Sequence, residues 1–288
     1  MKVLYKNQLI DREQAQVIDI EDRGYQFGDG VYEVIRVYNG HTFTLKEHLT
    51  RLFESAKKIK LTIPYKKKEI TALVFQLIQA NQLTEGTVYL QITRGNQSPR
   101  QHDFHLSQQS ESILTGSTNP KAVNRAQLQQ GVKATLIPDT RWLHCDIKSL
   151  NLLVNLLANA QAHEQGATEG IFHRDEIVTE GSHSNVFIVK NKQVITHPAN
   201  HLILNGITRQ VILAQCAATG IQLEEREFTR KELLEADEVF FTSTSTEGQG
   251  ITEIDGQIIG DGQVGPLTKQ IQQLVFQEIN KQCGKIYV

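Results

Sequence analysis

Two periods of apolar and polar residues run along this chain, and the switches between them mark its elements. Residues 3–10 read as a hairpin turning at Lys6-Asn7, and Val31, Val34, Ile35 and Val37 as a strand over 31–38 closed by Asn39-Gly40. The period then lengthens. Leu45, Leu49, Leu52, Phe53, Ala56 and Ile59 form a helical stripe behind Thr44-Leu45-Lys46-Glu47, which has the form of a capping box. Ile70, Leu73, Val74, Leu77 and Ile78 form a second stripe, before Val88, Leu90 and Ile92 alternate with Tyr89, Gln91 and Thr93 as a half-buried strand.

The chain turns polar after Arg94, a loop, and Ser117-Thr118-Asn119-Pro120-Lys121 is the best candidate linker. This divides the chain into an N-terminal domain (1–118), a linker (119–123) and a C-terminal domain (124–288). The second part opens with a strand over 132–137 and a helix over about 150–163 that stops at Gly166. A hairpin turns at Asn191-Lys192, and a helix starts at Gly206-Ile207-Thr208 and ends at Gly220. Thr229-Arg230-Lys231-Glu232 is a second capping box, Val239-Phe240-Phe241 a strand, and Gly265-Pro266 the start of the last helix. The fold class expected is two-domain and mixed, α/β or α+β.

Composition narrows the picture. The 288 residues are 39% hydrophobic and 22% charged with a net charge of −2, so no basic field points to nucleic acid or an anionic membrane. The lysines at 57, 58, 60, 66, 67 and 68 read as a solvated face. No signal-peptide core or membrane span is evident, and three cysteines without paired spacing suit a reducing cytoplasm.

Candidate chemistry centres on Lys148 and Glu180. Lys148 enters an apolar run, where burial would disfavour its ammonium form and free an amine able to condense with a carbonyl. Glu180 closes an extended stretch before a polar turn. Singly, these read as a snorkelling lysine and a turn residue. Together they suit an aldehyde cofactor of the pyridoxal phosphate kind, with the lysine carrying it as an imine and the acid beside its ring nitrogen. Asn205-Gly206-Ile207-Thr208 before a helix, and Ser243-Thr244-Ser245 after a strand, could receive a phosphate, or could be ordinary caps. Arg51, off the apolar stripe, is either a solvated cation or a phosphate clamp. Arg100 and His102 could converge on one carboxylate, with Tyr32 supplying another donor. No metal is expected, because His102-x-x-His105 lacks a third ligand of suitable spacing. Gly28-Asp29-Gly30 precedes a strand and lacks a third glycine, which excludes a dinucleotide fingerprint.

Three segments carry a resemblance: Arg23-Gly24-Tyr25-Gln26-Phe27-Gly28-Asp29-Gly30-Val31-Tyr32-Glu33, Arg141-Trp142-Leu143-His144-Cys145-Asp146-Ile147-Lys148-Ser149-Leu150-Asn151, and Thr179-Glu180-Gly181-Ser182-His183-Ser184-Asn185. They resemble the fold-type IV pyridoxal phosphate enzymes over nearly the whole chain, and Ser98-Pro99-Arg100-Gln101-His102 resembles the D-amino acid aminotransferase branch. Branched-chain aminotransferases and aminodeoxychorismate lyases share the first segments and are the alternatives. The resemblance implies a smaller N-terminal α/β domain, a larger domain with a pseudo-barrel sheet, and pyridoxal 5'-phosphate held between them. It implies amino transfer between D-amino acids and 2-oxo acids in a cytoplasmic homodimer. Lys148 would then be both imine and proton carrier, and Glu180 the partner of the ring nitrogen. Arg51, Ile207, Thr208, Ser243 and Thr244 would hold phosphate, with Leu204 near the ring. Tyr32, Arg100 and His102 would take the substrate carboxylate, in a trap completed across the dimer. His183 departs from the serine usual between Ser182 and Ser184.

Overall fold

The computed structural model describes residues 1–15, 18–103 and 111–286, which group into two compact units. The first is residues 1–122 with 147–151 and 282–286, and the second is 123–146 with 152–281. Lys148, counted with the C-terminal domain on sequence grounds, therefore groups with the first unit.

Among the described residues the first unit has six strands, β1 (Lys2–Tyr5), β2 (Gln8–Asp11), β3 (Gly30–Tyr38), β4 (His41–Thr42), β5 (Gly86–Thr93) and β6 (Ile113–Pro120). They form one antiparallel sheet in the order β2-β1-β6-β5-β3-β4. The short helix α1 (Arg23–Phe27) precedes β3, and α2 (Leu45–Lys58) and α3 (Lys67–Ala80) pack their apolar stripes on the sheet. Leu49, Leu52, Ile70, Val74 and Leu77 meet Val31, Ile35, Val88 and Leu90 in a core closed to water. The six clustered lysines are all exposed, as a solvated face requires.

Three local expectations need correction. Thr44 does not cap α2: its φ of +54° is left-handed and its buried hydroxyl finds no partner, while its N–H donates to Gln282 Oε1 at 3.1 Å. Residues 117–120 are not a linker but the end of β6, with Ser117 opposite Tyr89 and Thr118 opposite Val88. Their polar side chains hid a strand that pairs in register with β5. Leu150 does not start a helix, because its N–H is drawn to Gly30 O at 3.1 Å. The helix α5 begins at Leu153, after α4 (Arg125–Gln130).

The second unit is built on a larger sheet. Its strands are β7 (Val132–Pro138), β8 (Glu169–Arg174), β9 (Ile177–Gly181), β10 (Asn185–Lys190), β11 (Gln193–Thr196), β12 (Leu223–Glu225), β13 (Glu238–Ser243) and β14 (Thr246–Ile254). Their order is β12-β11-β10-β13-β14-β7-β8-β9, and β15 (Gln257–Ile258) pairs with β14. β9 and β10 stand far apart in that order yet are joined by the tight turn Ser182-His183-Ser184, closed by Gly181 N–H donating to Ser184 O at 2.8 Å. The sheet must therefore curl into a half-barrel, which agrees with the expected pseudo-barrel. Asn191 and Lys192 both take positive φ, as a two-residue type I′ hairpin needs. Helices α5 (Leu153–Glu164), α6 (Ile207–Thr219), α7 (Arg230–Leu234) and α8 (Pro266–Cys283) complete the elements. α7 has the capping box expected of it, with Thr229 Oγ1 accepting from Glu232 N–H and Glu232 Oε2 accepting from Thr229 N–H.

The two threonines should respond differently to substitution. Thr229→Ala is expected to cost about 1 kcal/mol of stability, and Thr44→Ala less than about 0.5 kcal/mol, because only the first caps. Chemical denaturation of both variants checks this.

Candidate active site

Strand periodicity places the first group of candidate residues. Along β3, Val31, Glu33, Ile35 and Val37 face the helices, so Glu33 lies carboxylate-first in an apolar face. α2 answers with a polar stripe of His48, Arg51 and Ser55 beside its leucines, all three buried. Arg51, read from the sequence as lying off the core face, is thus inside. Its Nε and Nη2 donate to Glu33 Oε1 and Oε2 at 2.7 and 2.9 Å, and His48 Nδ1 lies 2.7 Å from Oε2. Burial alone would raise the Glu33 pKa, but the Arg51 charge and the His48 hydrogen bond overcome it and hold the group at about 2. Burial also lowers the His48 pKa, so the imidazole is neutral and must carry its proton on Nδ1 to donate to a carboxylate.

The segment of residues 147–151 is pinned across this arrangement. Tyr32 N–H donates to Lys148 O and Leu150 N–H to Gly30 O, both at 3.1 Å, with Val31 bridged to Ser149. Lys148 N–H donates to Ser55 Oγ at 3.2 Å, and Asn151 Nδ2 to Gly28 O at 3.2 Å. Gly28 sits at φ +65°, and an added Cβ would come within 2.7 Å of Asn151 Oδ1. These contacts bring the Lys148 Nζ to 4.2 Å from the centre of the Tyr32 ring. Lys148 is half-buried rather than enclosed, despite the apolar run it enters.

Arg100 and His102 form a separate grouping, around Phe27. The Arg100 guanidinium lies 4.6 Å from the ring centre and the His102 ring meets it edge-on at 5.7 Å. Arg23 anchors their loop, donating to Gln101 O at 2.9 Å and Gln97 Oε1 at 2.8 Å. Tyr32 packs instead with Lys148 and with Tyr89. His105 lies outside the described residues.

In the second unit Glu180 ends β9 with its carboxylate almost filled. Oε1 accepts from Arg141 Nη1 at 2.6 Å, and Oε2 from Leu204 N–H at 3.0 Å and Asn185 Nδ2 at 3.2 Å. Four acceptor positions less three donors leaves one, on Oε1. Burial pushes the Glu180 pKa up to about 7, against the lowering charge and hydrogen bond of Arg141. Arg141 in turn is fixed by Asp139, its Nε and Nη2 donating to the two carboxylate oxygens at 2.9 Å, with its guanidinium 4.3 Å over the Phe172 ring. A second buried acid, Glu169, accepts from Ser182 N–H and from the hydroxyls of Ser182 and Ser184, which ties down the turn beyond Glu180. Ser182 Oγ also lies 3.0 Å from His183 Nδ1.

The two segments expected from sequence to receive an anion are neighbours. Thr208 Oγ1, in the first turn of α6, donates to Ser243 O at 3.1 Å. Gly206 caps α6 without a side chain, so the first amides point out of the helix end. A Cβ on Gly206 would fall 2.1 Å from Asn185 Oδ1, so only glycine lets this loop approach the Glu180 cluster. Ser243 Oγ is already paired with Thr246 Oγ1 at 2.8 Å. Leu204 bonds to Asn185 Nδ2 through its carbonyl, at 2.8 Å.

Sequence reading missed Glu33, His48, Arg141 and Asn185. A signal existed for the first two: an acid in phase with Val31 and Ile35 demands a buried cation, and His48 and Arg51 are three apart on the next helix. Arg141 and Asn185 lie within the quoted segments, but nothing in spacing shows that both turn onto Glu180.

The family model described as amino-transferase class IV matches residues 30–254. D-alanine aminotransferase from Listeria monocytogenes is 52% identical over 290 residues, covering 99% of each chain. That from Bacillus licheniformis is 47% identical over 285 residues, again covering 99% of each. Among solved structures, a branched-chain aminotransferase from Thermoproteus uzoniensis superposes with a TM-score of 0.85 at 30% identity, over 99% of this chain and 95% of that one. The chain belongs to the class IV aminotransferases.

Glu33 titrates from an ordinary 4.5 down to about 2, so its contribution to stability is whole above about pH 4.5 and lost as the pH falls through about 2. Glu33→Gln should lack that acid loss and be about 3–5 kcal/mol less stable at neutral pH, with Arg51 left buried beside a neutral group. Denaturant unfolding from pH 7 to 2 distinguishes the two.

Proposed function

We propose that this chain is a pyridoxal phosphate-dependent aminotransferase that moves amino groups between D-amino acids and 2-oxo acids. The observation that carries the reading is its full-length likeness to D-alanine aminotransferases, which spans the Lys148, Glu180 and Arg100 segments together.

The donors and acceptors fit the cofactor. Lys148 offers a primary amine for its aldehyde, Glu180 a remaining acceptor position for a ring N–H, and the amides of Ile207 and Thr208 a seat for its phosphate. Thr244, beside Ser243, and Arg51, oriented by Glu33, would add to that seat, and Leu204 would lie against the ring. Bound pyridoxal phosphate supplies an electrophilic carbon and a ring that accepts the electron pair left when the substrate Cα–H bond breaks. Lys148 Nζ would take that proton from Cα and deliver it to the former aldehyde carbon, which leaves the amino group on the cofactor and the substrate as a 2-oxo acid after hydrolysis. Glu180 holds the ring-nitrogen proton in place, which keeps the ring electron-withdrawing. Tyr32, Arg100 and His102 bind the substrate carboxylate.

The last three fall into two groups within one chain, which supports a homodimer in which one protomer's Arg100 and His102 serve its partner. A second copy also has a surface to bind. On α5, Leu153, Leu156 and Leu157 are 70%, 55% and 62% exposed at helical spacing, near exposed Trp142 and Leu143 in sequence. Among the described residues no helix is long and apolar enough to cross a membrane, and the three cysteines are buried and unpaired. The latter supports a cytoplasmic setting.

Borohydride reduction of the holoenzyme should leave a cofactor adduct on Lys148 by mass spectrometry, and Lys148→Ala should abolish both adduct and turnover. With 2-oxoglutarate as acceptor, D-alanine and not L-alanine should be consumed. Turnover of the L enantiomer would favour a branched-chain type of enzyme, and release of pyruvate from aminodeoxychorismate without an amino acceptor a lyase. Leu157→Glu should convert a dimer to monomer in sedimentation velocity.

A further inference from the structure

The Glu180 cluster contains one cation that the reading above leaves unused. Arg141 reaches Glu180 from the loop after β7, and its own position is set independently, by both oxygens of Asp139 and by the Phe172 ring. Asp139 is held in turn by Arg174 Nε at 3.2 Å and Thr179 Oγ1 at 3.2 Å. The guanidinium is therefore delivered to Glu180 ready-oriented, and it is nearly closed to water.

The other groups around Glu180 cannot replace it. From β10 comes the Asn185 amide, and from the loop before α6 the Leu204 N–H, both neutral. Asp139 is an acid and repels charge on Glu180, while Arg174 stands behind Asp139 and is paired to it. The thiol of Cys145, on the same loop, is pushed by burial to about 11 and stays neutral. Among the described residues, Arg141 is the cation bonded directly to Glu180.

We propose that Arg141 is a positioning residue for amino transfer: its guanidinium offsets part of the cost of burying the Glu180 charge, favouring the anion, and leaves one acceptor position on Oε1 for the cofactor's ring nitrogen. This rests on Glu180 being the ring-nitrogen acid. A neutral Glu180 would bring a hydroxyl hydrogen where a lone pair is needed, and the ring would lose the proton that makes it an electron sink. Burial pulls the carboxyl in that direction, and Arg141 opposes it.

The test is Arg141→Gln, which keeps a hydrogen-bond donor and removes the charge, beside Arg141→Lys, which keeps the charge. In the Gln holoenzyme the Lys148 adduct should persist. Its kcat at pH 7 should fall about tenfold or more and return as the pH rises by about two units, the signature of a carboxyl whose pKa has moved up. The Lys variant should follow the wild-type pH profile. Infrared difference spectra of Arg141→Gln against Arg141→Gln/Glu180→Gln at pH 7 should show a protonated carboxyl in the first alone. A wild-type profile for the Gln variant, or a loss that neither pH nor lysine restores, overturns the proposal. If Arg141→Gln does not fold, Arg141→Met takes its place with the same criteria. Absence of a Lys148 adduct in the wild-type holoenzyme is a separate result, and sinks the aminotransferase reading itself.

Discussion

Two backbone hydrogen bonds fix the segment that carries Lys148. Between them, Tyr32 N–H to Lys148 O and Leu150 N–H to Gly30 O hold a five-residue strap against β3. The strap has no helix or hairpin of its own to keep it there. Ser55 Oγ and Gly28 O add two further anchors, to Lys148 N–H and Asn151 Nδ2, and together these contacts set the Nζ over the Tyr32 ring. Glycine at 30 is part of the constraint, since a Cβ there would sit 2.6 Å from Ile92 O and 2.8 Å from Leu150 Cδ1.

Charge is handled in the same way in each unit. Neither Glu33 nor Glu180 is left alone in its buried place, and each is met by an arginine. The outcomes differ because the settings differ. Glu33 has two nitrogens of Arg51 and an imidazole, enough to outweigh burial and keep it ionised far into acid. Glu180 has one nitrogen of Arg141, a nearby Asp139 and two neutral donors, so burial wins and its proton affinity rises into the neutral range. The first carboxylate is a structural counter-ion. The second is poised where a small change of field alters its state.

Much of this was legible from periodicity. The stripes of α2 and α3, the alternation of β3 and β5, the type I′ turn at Asn191-Lys192 and the capping box at Thr229 follow from residues close together in sequence, so the pattern carries them. The failures share a cause. Residues 117–120 look like a linker because most of their side chains are polar, yet β5 recruits them through the backbone, which has no side-chain signature. Leu150 looks helical until Gly30, far upstream, claims its N–H. Thr44 has the sequence of a cap, but the turn into α2 forces a left-handed backbone that aims its hydroxyl away. Arg141 shows the limit most clearly: Phe172 and Glu180 come beside it only when β7, β8 and β9 pair side by side, which no local pattern around residue 141 reveals.

The strap also has a consequence for biosynthesis. The sheet of the first unit is complete once residue 120 has left the ribosome, whereas residues 147–151 arrive later and residues 282–286 later still. Asn39 Nδ2 waits for the carbonyls of Cys283, Gly284 and Lys285, and the Thr44 amide for Gln282. A nascent chain therefore carries a formed sheet before the segment bearing Lys148 is added to it, and the first unit closes only late in translation.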